Sequence, residues 1–213
     1  MMKKLAIIGT KEFAQQIIGF AKKTGQYTIV GYLDDLEVKE SIICGYPVLG
    51  PVSSAKELYE KGILDCVFIA IGYTRFDLRE LYYNSLKNIV PFANIIMPDV
   101  EINETTLLGE GIFIGTKTYF GANVVIDDNV FIHGHTFISH DNHIGSHTYI
   151  SGNFTTAGFV NIGKRNFFGI CSIVSDHITI CDDVWIGLGS IVAKKIKKPG
   201  RYISQNVLLT KID

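Results

Sequence analysis

Apolar and polar positions change their period partway along this chain. From Ile96 onward a large apolar residue returns every sixth position: Ile96, Ile102, Leu108, Ile114, Phe120, Ile126 and so on to Val192. Of these 17 positions only Thr156 departs from the rule, and glycine often follows, as at Gly109, Gly115, Gly121, Gly145, Gly163, Gly169 and Gly187. A period of six fits neither a 3.6-residue helix nor a strand alternating past eight residues. It suits short strands separated by turns that need a small residue. The pattern predicts a parallel β-helix, in which successive coils supply each other's backbone hydrogen bonds and the apolar sixth residues form one continuous core.

The first part of the chain follows a different rule. Lys4 to Gly9 reads as a strand, Glu12 to Lys23 has helical spacing, and Tyr27 to Leu33 is a second strand ending at Asp34-Asp35. Ser53 to Lys61 reads as a helix with a serine cap, Cys66 to Gly72 as a third strand and Phe76 to Lys87 as a helix. This alternation predicts a small α/β sheet domain over residues 1–92, joined through a hinge at Pro91 to Pro98 to a coil over residues 93–196. A tail over residues 197–213 contains Pro199-Gly200 and leaves the sixfold register.

Charge and composition narrow the function. Twenty Lys plus Arg against 21 Asp plus Glu leave a net charge of -1, so no bulk positive field draws the chain to nucleic acid. An apolar fraction of 47% with 19% charged residues exceeds what a small monomer needs for its core and points to surface buried between copies. The apolar run Leu5 to Ile8 is too short for a signal peptide or membrane span, which predicts a cytoplasmic protein with no membrane partner. Cys44, Cys66, Cys171 and Cys181 are scattered, as expected of reduced thiols rather than a zinc knuckle or disulfide frame.

The two halves together carry a resemblance. Ile7-Ile8-Gly9, Leu33-Asp34-Asp35 and Ile69-Ala70-Ile71-Gly72, followed by hexads and by Ile138-Ser139-His140-Asp141, Ala157-Gly158 and Ile162-Gly163, resemble the hexapeptide-repeat sugar acyltransferases of the sialic-acid O-acetyltransferase and bacillosamine N-acetyltransferase group. The resemblance implies a Rossmann-like nucleotide-sugar-binding domain followed by a left-handed parallel β-helix with three hexapeptides per turn. It also implies a homotrimer, an acyl-coenzyme A co-substrate with no tightly bound cofactor, and acylation of a nucleotide-linked aminosugar for bacterial surface glycans. O-acylation of a sugar hydroxyl is the alternative, and a non-catalytic scaffold is a third reading. The chain departs from its relatives in the turn Gly9-Thr10-Lys11-Glu12-Phe13, in carrying His133 where asparagine is common, and in Ser204-Gln205-Asn206 where Gly-x-Pro-Ala is usual.

Five of the six histidines, His133, His135, His140, His143 and His147, cluster in one short stretch of the repeat. With three hexapeptides per turn His140 stacks near Gly158 and Ala122. Acyl transfer from a thioester needs a base for the nucleophile's proton and an N–H for the oxyanion. His140 with Asp141 and the Gly158 N–H match that need, and the resemblance gives His140 the role of base. Gly158, Gly187, Lys194 and Lys195 are the acyl-coenzyme A candidates, and a solvated basic face is the alternative for the lysines. Gly9, Asp34, Asp35 and Gly72 are the nucleotide-sugar candidates, with a solvated turn as the alternative for the aspartates. His133 and His143 are candidates for the acceptor pocket, against polar decoration of coil corners or an interface. A zinc site built from His135 and His140 lacks a ligand two coils earlier, so no metal is expected.

Overall fold

The computed structural model describes residues 2–204; Gln205 and Asn206 lie outside them. The first unit is a five-stranded sheet in which β1 (Lys3–Ile8) is an interior strand. It pairs in parallel with β2 (Tyr27–Leu33) and, on its other edge, with a strand at Cys66–Ile69. The helix α1 (Glu12–Lys23) has the expected bounds and buries Ala14, Ile17, Ile18 and Ala21, an i, i+3, i+4, i+7 stripe. Beyond β2 the chain forms an unexpected hairpin, β3 (Ile42–Ile43) with β4 (Tyr46–Gly50), whose second strand joins β2 in parallel. The expected serine cap is absent. Val52–Ser54 is a 3-10 turn leading into α2 (Ala55–Glu60), and the Ser54 hydroxyl donates to Pro51 O instead of accepting a helix N–H. β5 (Cys66–Ile69) and α3 (Phe76–Leu86) complete the unit.

From Ile95 the hexads become two- and three-residue strands in three parallel sheets. The first face contains Ile95, Phe113, Phe131, Tyr149, Phe167, Trp185 and Arg201 as outward residues. The second presents Glu101, Tyr119, Phe137, Thr155, Ile173 and Ile191. The third presents Leu107, Val125, His143, Asn161 and Thr179. Partners in successive coils are three hexads apart, and the sixth-position side chains fill the core from Ile114 to Val192. Thr156, the polar exception, is 1% exposed, and its hydroxyl oxygen accepts from Ser139 N and Asn142 Nδ2. Every sixth residue from Lys117 to Asp183 takes a left-handed φ between 53° and 65°. That conformation turns the corner between two faces.

The first face is covered by the α/β unit. Its outward aromatics pack with Leu5, Ile7, Ile17 and Phe68 in one buried cluster, with stacked neighbours Phe131–Tyr149 at 5.7 Å and Phe167–Trp185 at 4.0 Å. The expected hinge is a stitched seam. Val67 bridges to Phe92, Tyr27 Oη donates to Asn94 O, and Asn94 Nδ2 donates to Gly109 O. Leaving the register does not end the sheet: Gly200–Tyr202 pairs with Val184–Ile186 at a shorter offset than the coils before it. Arg79 of α3 is fully buried at this junction, over the Phe131 ring at 4.5 Å and donating to Asn129 O and His147 O. Burial pushes its guanidinium down to about 9.

Candidate active site

His140 lies in the turn between the second and third faces, on the edge opposite the covered face. Its register neighbours there, in the coils that follow, are Gly158, Asp176 and Lys194. The imidazole lies against Gly158: a Cβ at that glycine would stand 2.6 Å from Cε1 and 2.8 Å from Nε2. Any larger residue would therefore displace the ring. Beneath it, a Cβ at Gly121 would meet His140 N at 2.8 Å.

Asp141 follows in the left-handed conformation, φ 55°, which carries its carboxylate back to His140. Nδ1 and Asp141 Oδ2 are 2.8 Å apart, while Asn123 Nδ2 donates to Oδ1 at 3.0 Å. These hydrogen bonds, that of His140 foremost, hold the carboxyl below the usual carboxylate range. The ionised carboxylate only accepts, so Nδ1 carries the proton and Nε2 presents its lone pair. With 51% of the His140 side chain and 33% of that of Asp141 exposed, the pair is open to a substrate.

Asn142 fixes the turn from inside the coil. It is 2% exposed; Nδ2 donates to Ser139 O, Thr156 Oγ1 and Ala157 O, and Oδ1 accepts from Val160 N at 2.6 Å. One buried amide thus ties the His140 turn to the Gly158 turn, a wiring that the apolar period alone does not disclose.

The other histidines have different surroundings. His133, at the edge between the first and second faces, packs against Phe13 and Phe113, with Nε2 2.6 Å from Tyr149 Oη. Burial pushes it down to about 4 and Tyr149 up to about 12, so the neutral phenol donates to the neutral imidazole. His147 is 4% exposed beneath α3, 2.9 Å from Asn129 Nδ2, and is pushed to about 4 first by burial and then by Arg79 and Arg165. His143 on the third face is 3.0 Å from Asp127 Oδ1. His135 occupies an exposed left-handed turn. Among the described residues no group of His, Cys, Asp and Glu is arranged to hold a metal ion.

The α/β unit has a cavity of about 310 Å³ at the ends of β1, β2 and β5, lined by Gly9, Thr10, Lys11, Phe13, Asp34, Gly72, Arg75 and Tyr82 among others. Gly9, Asp34 and Gly72 therefore come together. Asp35 is not in the lining; its oxygens accept from Val52 N and Tyr82 Oη. Asp34 is fixed by Thr10 Oγ1 and Leu36 N. The cavity also receives the N-terminal ends of α1 and α3, where Lys11 and Arg75 stand as flanking residues. Lys11, Phe13, Arg75 and Tyr82 were missed as site residues; the one signal for the first three is position, just beyond a strand end at the start of a helix, and Tyr82, two turns into α3, has none.

Lys194 and Lys195 share the His140 edge three coils on, whereas Gly187 is on the His133 edge, where a Cβ would strike Ile203 at 2.6 Å. The cavity reaches the coil through Phe13, beside His133, so cavity and His140 flank opposite sides of the second face. The residues lining the cavity all belong to the α/β unit, from Gly9 to Tyr82, and His140 is not among them.

Comparison with known proteins accords with this anatomy. Residues 4–86 match the model of the PglD N-terminal domain. The chain resembles PerB from Caulobacter crescentus, a structure in complex with CoA and GDP-perosamine, at 25% identity and a TM-score of 0.83 over 96% of this chain and 95% of that one. The acetyltransferase domain of PglB from Neisseria gonorrhoeae shares the fold, with a TM-score of 0.82 at 23% identity over 95% of this chain and 97% of that one. A UDP-3-O-acylglucosamine N-acyltransferase from Herminiimonas arsenicoxydans is 39% identical over 104 residues, 49% of this chain and 27% of that protein. The chain thus spans about a quarter of the length of the curated relatives it matches. Residues 4–86 thus match an α/β unit of PglD type, and the whole chain, α/β unit and β-helix together, shares its fold end to end with PerB.

Proposed function

We propose that this protein moves an acetyl or related short acyl group from its coenzyme A thioester to the amino group of a nucleotide-linked aminodeoxysugar, for bacterial surface-glycan synthesis. The observation that carries the reading is the His140–Asp141 pair seated on Gly158. His140 Nε2 takes the amine proton as the nitrogen attacks the thioester carbonyl. Asp141 stabilises the imidazolium through Nδ1–H, and the Gly158 N–H donates to the oxyanion. Collapse breaks the carbon–sulfur bond, and the thiolate recovers the proton from Nε2. Lys194 and Lys195, on the same edge, suit the coenzyme's phosphates.

The cavity of the α/β unit suits the nucleotide sugar. Two helix N-termini, Lys11 and Arg75 favour a diphosphate, and Asp34 is set for a hydroxyl or base N–H. GDP-perosamine, an aminosugar nucleotide bound with CoA in PerB, supports this acceptor class. The reaction is assigned to the cytoplasm, because charged phosphates keep both substrates from crossing a membrane. Among the described residues no helix is long and apolar enough to cross a membrane.

Assembly follows from the separation of cavity and base. The second face leaves Tyr119, Phe137, Ile173 and Ile191 39 to 63% exposed. A threefold arrangement of parallel coils would cover that column and bring one protomer's cavity toward its partner's His140. Mass spectrometry after incubation with acetyl-coenzyme A and a panel of nucleotide-linked aminosugars tests the activity. Addition of one acetyl group on nitrogen is expected. An oxygen-linked product would shift the assignment to O-acylation, and the absence of both product and coenzyme A binding would leave a scaffold.

A further inference from the structure

Successive corner residues, from Lys117 to Asp183, occupy the left-handed backbone region. Their occupants are mostly Asn, Asp, His and other polar residues, which tolerate it at low cost; Asn holds corners 123, 129 and 153. Phe159 is the one large apolar residue among them. A bulky aromatic is disfavoured at φ 58°, and its side chain does not regain that cost by burial within the chain, because the residue is 50% exposed. Its ring nevertheless has a defined place. It meets the His140 imidazole edge to face, with centroids 5.2 Å apart and planes at 87°, and it stacks on His177 at 4.8 Å.

We infer that Phe159 is a positioning residue for His140. The imidazole has three supports: Asp141 fixes its tautomer, Gly158 gives it a flat seat, and Phe159 closes the side that solvent would otherwise let it swing into. His177 holds the Phe159 ring in turn, and is itself paired with Asp176, Nδ1 to Oδ2 at 3.0 Å. The left-handed corner is what turns the ring back along the edge toward the preceding coil. A residue of lower backbone cost would fold as well there but leave Nε2 free to drift from the acceptor nitrogen. This inference rests on His140 being the base.

The test is steady-state kinetics on the full chain with Phe159→Asn, the repeat's own corner residue, beside Phe159→Tyr and His140→Ala, with thermal melting and light scattering on each. Phe159→Asn should lower kcat by about 10- to 100-fold, the scale of a displacement near ~1 Å. Both KM values should stay within about twofold, with no fall in Tm and no change in assembly. Phe159→Tyr should recover most of the rate. Wild-type kcat in Phe159→Asn while His140→Ala is inactive would overturn the inference alone, whereas full activity in His140→Ala would remove the base itself. A rise confined to the acetyl-coenzyme A KM would make Phe159 a donor-binding residue and overturn positioning. Loss of rate matched by loss of Tm or of assembly would overturn it in favour of a structural role.

Discussion

The covered face of the coil and the edge opposite it are built from the same hexad, and they have opposite fates. On the first face the outward positions are Phe113, Phe131, Tyr149, Phe167 and Trp185; the α/β unit buries the first four and packs against a half-buried Trp185. Histidines on that side, His133 and His147, are desolvated and held neutral. On the opposite edge the outward residues are His140, Asp141, Phe159 and His177, which contact one another and remain open. Inward positions are alike in both, so the repeat supplies the scaffold and the outward residues decide whether a corner is packed or reactive. A histidine's role therefore follows from what covers it.

The sharpest way to break this contrast is to remove one histidine from each side. His140→Ala should lower kcat by roughly 10²- to 10⁴-fold with Tm unchanged, because a half-exposed turn residue adds little packing. His147→Ala should leave kcat within about threefold and cost roughly 2 to 4 kcal/mol of stability, through the lost bond to Asn129 and the cavity beneath α3. Paired kinetics and urea unfolding measure both. Equal kinetic losses would erase the distinction between the two sides.

The second face offers the next test. Phe137, stacked on Tyr119 at 4.9 Å with planes at 10°, stands mid-column on the exposed apolar strip. If the proposed threefold assembly pairs each cavity with a partner's His140, Phe137→Asp should convert it to monomers at micromolar concentration and lower turnover at least about tenfold. Light scattering that shows a monodisperse wild-type monomer would remove the shared site.

Acid should act on the covered side through its two buried histidines. His133 and His147 are pushed to about 4 in the folded chain, against about 6.5 when unfolded. The unfolded chain takes up their protons first, so stability falls as pH drops below about 6.5 and levels off below about 4. Between pH 7 and pH 5 the loss should be up to about 2 kcal/mol for each histidine, read from urea midpoints. His147→Gln should flatten the slope, and an unchanged slope would show that this histidine is not held neutral by burial.

Much of the architecture was legible because short-range periodicity encodes it. The bounds of α1 and β2 and the hexads follow from which residues face inward. The β3–β4 hairpin escaped notice because its first strand is too short to show alternation. Arg79 is an example of tertiary override: on an isolated helix a guanidinium belongs in water, but α3 is pressed onto the Phe131 ring and the backbone oxygens of two coils. Asp35 looked equivalent to Asp34 as one of two adjacent acids, and only packing separates them, turning one toward the cavity and the other toward Val52 and Tyr82.

The six-residue period by itself determined the coil; the stacking of every third hexad, and hence the placing of His140 against Gly158, was implied by the family resemblance and is seen in the strand register. The sequence did not determine which coil face the α/β unit would cover, which histidines burial would hold neutral, or that Phe159 would close against the base. Those depend on contacts between residues distant in the chain, whose energies arise from desolvation and shape at an interface that no local pattern records.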